Sequence, residues 1–228
     1  MKKRKGHGFT LLELLMVLGV MGILMGMMIP SVGIVREKAQ RMVTGQKLRQ
    51  VGLAVATYHS VTGRSLAAED LGGWIRTLAR ETGLRESGLF LLGEDPMVRS
   101  LPGTLPPVLV EKDTGGEWHL IEGFGALPLG LAVASGVSAF APPSTTPIAW
   151  TRGLTVEGRW LEPPSNRAGV YGGEGGFIVF LDGRVQFFRD LSADGGQLVS
   201  HDTGQRTDDI REALGPGVKG YDYLGRVF

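Results

Sequence analysis

The 228-residue sequence contains no cysteine, which removes thiolate nucleophiles, disulfide staples and every cysteine-ligated zinc or iron–sulfur centre. It has almost no net charge. Lys and Arg number 24 against 23 Asp and Glu, so the balance of +1 lacks the field that captures nucleic acid, and no nucleic-acid partner is expected. Only 21% of residues are charged while 43% are hydrophobic, the reverse of a disordered chain. Histidine is scarce too: His7, His59, His119 and His201 lie far apart, and none shows the His-x-x-x-His spacing of a metal site. Each reads more simply as a surface or satisfied structural residue. No metal and no cofactor is expected. What is abundant is glycine, with 36 residues, which together with 12 prolines describes a loop-rich folded chain.

The charges that do occur are unevenly placed. Lys2-Lys3-Arg4-Lys5 opens the chain, and the 21 residues from Phe9 to Ile29 then hold a single ionisable group, Glu13. At 1.5 Å of rise per residue this stretch spans about 31 Å as a helix, matching a hydrocarbon core about 30 Å thick. It is therefore expected to cross a membrane. A secretory signal peptide would have a shorter apolar region ending in a small-x-small site, for which only Ser31-x-Gly33 is available. A buried soluble helix is the other alternative, and so long an apolar run disfavours it. Glu13 is the anomaly, because a carboxylate inside a membrane is unfavourable by about 2.5–3.5 kcal/mol without a partner. No Lys, Arg or His lies between Thr10 and Val35. A cut after Gly8 would delete the four leading positive charges and place a new ammonium on Phe9, one helical turn from Glu13.

These residues carry a resemblance. Lys-Gly-His-Gly followed by Phe9-Thr10-Leu11-Leu12-Glu13-Leu14-Leu15 resembles the prepilin cleavage and methylation motif of type IV pilins and type II secretion pseudopilins. The resemblance implies that a prepilin peptidase cuts after Gly8 and methylates Phe9, and that Glu13 pairs with the amino terminus of a neighbouring subunit during assembly. Pro30 stands where many members of the family have a proline. Read on its own, it lacks the donor for the Gly26 carbonyl and should kink or loosen the helix. Gly22-x-x-x-Gly26 would let membrane helices approach closely. Met16, Met21, Met25, Met27 and Met28 read as adaptable lipid-facing or core filler rather than a metal site.

After Pro30 the pattern becomes amphipathic, with Val35, Ala39 and Met42, then Leu48, Val51, Val55 and Tyr58 at spacings of three and four. Arg36, Lys38, Arg41, Lys47 and Arg49 interleave as a solvated face. One helix of about fifty residues is predicted to end at Gly63. A second helix is predicted from about Asp70 to Thr82, strands at 107–112, 117–121 and 147–152, a loop from Gly123 to Thr146, and a last helix from Thr207 to Leu214. Phe177–Leu181, Asp182-Gly183 and Arg184–Phe188 predict a hairpin with a two-residue turn, in which Ile178, Phe180, Val185 and Phe187 share the face packed on the long helix. This hairpin, with Gly169–Gly176 before it, also resembles a C-terminal signature of some prepilin-type proteins, but Gly172 occupies the position of that signature's histidine. Asp190, Asp194, Asp208 and Asp209 cluster nearby, and Asp190-x-x-x-Asp194-Gly195 matches part of a calcium loop without its later glutamate.

The expected fold is α+β: a long N-terminal helix, transmembrane then amphipathic, on a small antiparallel sheet, pilin-like. The expected organisation is a leader at 1–8, a transmembrane helix at 9–29, an amphipathic helix at 30–63 and a periplasmic domain at 64–228. The resemblance implies a structural subunit, not an enzyme, anchored in the inner membrane with its N-terminus cytoplasmic. Its implied partners are pilin-like subunits in a filament, prepilin peptidase, an inner-membrane assembly platform and membrane lipid. A membrane-anchored periplasmic binding module or enzyme, and a protein released by ordinary signal peptidase, are the competing readings.

Overall fold

A computed structural model describes residues 10–228, excepting the side chains of residues 27–34. The chain is α+β, with a long N-terminal helix and antiparallel sheets. It divides into two compact units, one ending at Met42 and the other Val43–Phe228. The division falls inside helix α1, Leu11–Thr62, a 52-residue element whose helical assignment runs through Pro30 without interruption. Its end is set by Gly63, whose φ of 64° is a left-handed conformation that glycine adopts freely. The Gly63 N–H donates to the His59 carbonyl, so one otherwise orphaned acceptor of the last turn is satisfied.

In the second unit, Leu48, Val51, Val55 and Tyr58 of α1 are buried, as their spacing predicts. Helix α2, Leu71–Thr82, is capped by the Asp70 side chain accepting from the Gly73 N–H, and its Trp74, Ile75 and Leu78 enter the same core. Helix α3, Pro96–Arg99, is a single turn with Asp95 at its cap, and α4, Ile210–Leu214, begins after Asp209.

The strands are β1 (Val110–Lys112), β2 (Trp118–Leu120), β3 (Leu131–Ser135), β4 (Pro147–Thr151), β5 (Val170–Gly173), β6 (Gly176–Phe180), β7 (Val185–Phe188), β8 (Leu198–Val199), β9 (Arg206–Thr207), β10 (Lys219–Asp222) and β11 (Gly225–Arg226). Six of them form one antiparallel sheet in the order β11-β10-β3-β4-β6-β7, while β1 pairs with β2 and β8 with β9.

Three sequence expectations need correction. The predicted loop from Gly123 to Thr146 contains β3, a central strand whose five residues are all buried. Buried on both faces, Leu-Ala-Val-Ala-Ser has no alternation to betray it. The last helix starts at Ile210 rather than Thr207, because Arg206 and Thr207 pair with β8. The hairpin register is also slipped by one residue. Val179 pairs with Val185 and Ile178 with Gln186, and the Phe180 N–H donates to the Arg184 carbonyl, closing a three-residue loop, Leu181-Asp182-Gly183. Gly183 takes φ 80° there, the left-handed residue that such loops require. A one-residue slip exchanges the faces. Phe177, Val179, Val185 and Phe187 therefore share one side. A Cβ on Gly52 of α1 would lie 2.8 Å from Val179 Cγ1, so this is the side that meets the helix.

Candidate functional site

The start of α1 is built around Thr10 and Glu13. The Glu13 N–H donates to Thr10 Oγ1 at 3.2 Å, while the Thr10 N–H and hydroxyl donate to Glu13 Oε2 at 3.1 and 3.0 Å. This reciprocal arrangement is a capping box, which satisfies backbone donors that the first helical turn leaves open. Thr10-x-x-Glu13 is legible in the sequence as that motif, although the charge of Glu13 points first to a cationic partner. The carboxylate accordingly reaches back toward the helix start and is held by neutral donors. Gly8 and Phe9, the expected processing residues, lie outside the described residues.

Beyond the cap, Leu11, Leu12, Leu14, Leu15, Met16, Val17, Leu18, Val20, Met21, Ile23, Leu24 and Met25 are all exposed. Nothing lies within 4 Å of a Cβ placed on Gly19, Gly22 or Gly26. The stretch is an apolar surface on every side, the property of a helix that is buried by surroundings other than its own fold. Among the described residues no helix is long and apolar enough to cross a membrane. The predicted span 9–29 extends past them, at Phe9 and at the side chains of 27–29, and Pro30's ring lies outside them as well.

In the second unit, among the described residues, no group of three or more Asp, Glu or His converges as a metal site. Asp190 is engaged by the Ser192 hydroxyl and N–H, and these bonds hold its carboxyl below the ordinary range. His119 lies 3.0 Å from Asp113 on the surface. His59 is different: it is buried near the end of α1, neither ring nitrogen meets a hydrogen-bonding partner, and burial lowers its pKa.

Arg152 was not singled out by sequence reasoning. Fully buried just past β4, it makes an ion pair with Asp95 at 2.9 Å and donates to the carbonyls of Ala168 and Leu129 at 2.9 and 3.1 Å. Burial pushes the Asp95 carboxyl upward against the pull of this guanidinium. Arg152's bonds go to the chain itself, which makes it a structural clasp.

Comparison with known proteins places one signal. Residues 3–29 match the family described as the prokaryotic N-terminal methylation motif, the signature of prepilin-type precursors. The match covers Gly8, Phe9, Glu13, Gly22 and Gly26 and stops one residue before Pro30. No curated protein and no solved structure matches the chain.

Proposed function

We propose that this chain is a structural subunit of the pilin-like kind: cut after Gly8, methylated on Phe9, held in the inner membrane by residues 9–29, and assembled with similar subunits into a type II secretion or type IV pilus-like filament. It performs no catalysis in this reading. The observation that carries it is the methylation motif at residues 3–29. The capping box supports it, because Glu13 already leans back toward the place where a cut after Gly8 would create an ammonium. Exposure of the apolar residues from Leu11 to Met25 supports it too, since bilayer or neighbouring helices are what such a surface requires. The prepilin peptidase and the assembly platform follow as partners.

Assembly selects register through charge. A helix entering at the correct axial stagger places Glu13 against a neighbour's terminal amine, whereas a misplaced one leaves a carboxylate unmatched in a low dielectric. Mass spectrometry of the membrane-extracted chain should find a mature protein beginning at methylated Phe9. A chain retaining residues 1–8 would contradict the proposal. The Glu13→Ala variant should insert normally and yield far less filament, read by shearing and sedimentation; wild-type yield would remove the register mechanism.

A further inference from the structure

In the topology proposed above, α1 leaves the membrane after Ile29 on the side where Lys and Arg are ordinarily sparse, yet Arg36, Lys38 and Arg41 come next. Each of these charges has a different fate. Arg41 is paired with Glu37 one turn earlier, so those two cancel. Arg36 and Lys38 are exposed, and neither meets an acidic partner among the described residues. Two unmatched cations therefore stand on this stretch of helix.

Their placement says what could match them. Helical assignment is unbroken from the apolar stretch through both residues, so position along the axis follows from the rise. At 1.5 Å per residue, Arg36 and Lys38 lie about 10 and 14 Å beyond Ile29. A headgroup layer occupies about 5–8 Å of that distance, which leaves both cations within one Debye length, about 8 Å, of its outer edge. Successive residues turn by about 100°, so the two side chains leave α1 on nearly opposite sides. One protein partner docking on one face would reach only one of them. Lipid surrounds a helix that crosses the bilayer, and meets both.

We propose that Arg36 and Lys38 form a collar that gathers anionic phospholipid headgroups around α1 where it emerges from the bilayer. The proposal rests on the membrane anchoring argued above. A zwitterionic headgroup carries its own cation and offers no net attraction, whereas an anionic one presents an unbalanced phosphate to a guanidinium or ammonium. The attraction is electrostatic and exposed, so salt weakens it. A subunit drawn out of the membrane into a filament has to give up these headgroups.

The test reconstitutes the full chain in phosphatidylcholine vesicles that carry a trace of spin-labelled phosphatidylglycerol or spin-labelled phosphatidylcholine. Electron spin resonance reads the fraction of each label immobilised at the protein. Phosphatidylglycerol should be preferred by about fivefold at low salt, and the preference should vanish in 1 M salt, where the Debye length falls to about 3 Å. Arg36→Gln/Lys38→Gln should remove most of it. Lys47→Gln/Arg49→Gln, which deletes the same charge farther along α1, should leave it intact. Any contribution of Lys2–Lys5 is common to all these samples and cancels from the comparison. Immobilised lipid without a preference, a preference that survives 1 M salt, or equal losses from the two double variants would overturn the collar and leave the filament reading untouched. No immobilised lipid at all would defeat the anchoring together with the collar. A retained leader, read by mass on the same sample, with an intact Arg36- and Lys38-dependent preference would defeat the filament reading and leave the collar standing.

Discussion

Glu13 and His59 are both ionisable groups in apolar surroundings, and the chain equips them differently. Thr10 gives Glu13 three hydrogen bonds in the described structure, so its helix start is organised whether or not a cation is beside it. His59 has no hydrogen bond, and its burial has a consequence in pH. The unfolded chain takes up a proton on this ring as pH falls through about 6.5, while the folded chain resists until lower pH. Between those points the unfolded state holds more protons, so stability is fully present above about pH 6.5 and declines as pH drops. Thermal melts between pH 7.5 and 5 should therefore fall more steeply for the wild type than for His59→Gln. Parallel slopes would show that the imidazole is solvated. Asp95 and Asp222, whose pKa values burial raises, contribute with the opposite sign and remain in both proteins, so they cancel from the difference.

At the scale of elements, α1 approaches the β6–β7 hairpin closely at Gly52. A Cβ there would stand 2.8 Å from Val179 Cγ1 and 3.2 Å from the Gly183 backbone, so the helix or the hairpin has to move to admit one. Gly52→Val is expected to destabilise by about 1–3 kcal/mol through overpacking. A Cβ on Gly45, seven residues earlier on α1, would meet Phe177 at an ordinary 3.7 Å. Gly45→Ala should instead gain up to about 1 kcal/mol from helix propensity. Urea unfolding of the two variants in one detergent checks the contrast; equal effects would mean that α1 does not rest on the hairpin through Gly52. The same pair of elements shows what was legible in advance. Leu48, Val51, Val55 and Tyr58 announced the buried face of α1 because helical period and amphipathicity are local. The hairpin was legible as a hairpin, but its register was not. Asp182-Gly183 suits two-residue and three-residue loops alike, and the choice rests on packing against Gly52 that no local pattern encodes. Strand β3 was invisible for a related reason, its burial on both faces erasing alternation. At the N-terminal site, Glu13 stood out by its charge, whereas Thr10 was overlooked because a hydroxyl in an apolar run raises no electrostatic question.

Across the whole molecule, Arg152 joins segments distant in sequence, holding Asp95 before α3 to the carbonyls of Leu129 and Ala168. Tyr223 adds its ring 5.3 Å from the guanidinium. Removing one member strands a charge in a dry interior, so Asp95→Ala should destabilise by about 3–5 kcal/mol. The double variant Asp95→Leu/Arg152→Met should be milder than either single change. A single variant that melts like the wild type would mean water reaches the pair. The sheet order carries one further implication. Strand β10, at Lys219–Asp222, closes against β3, at Leu131–Ser135, so a central strand that already pairs with β4 gains its second neighbour only from a segment more than eighty residues later. Such non-local pairing slows folding and keeps that edge of β3 open to stray strands until β10 arrives. Residues 219–222 must accordingly be made before this domain can close, and until then the unpaired edge of β3 is an aggregation hazard.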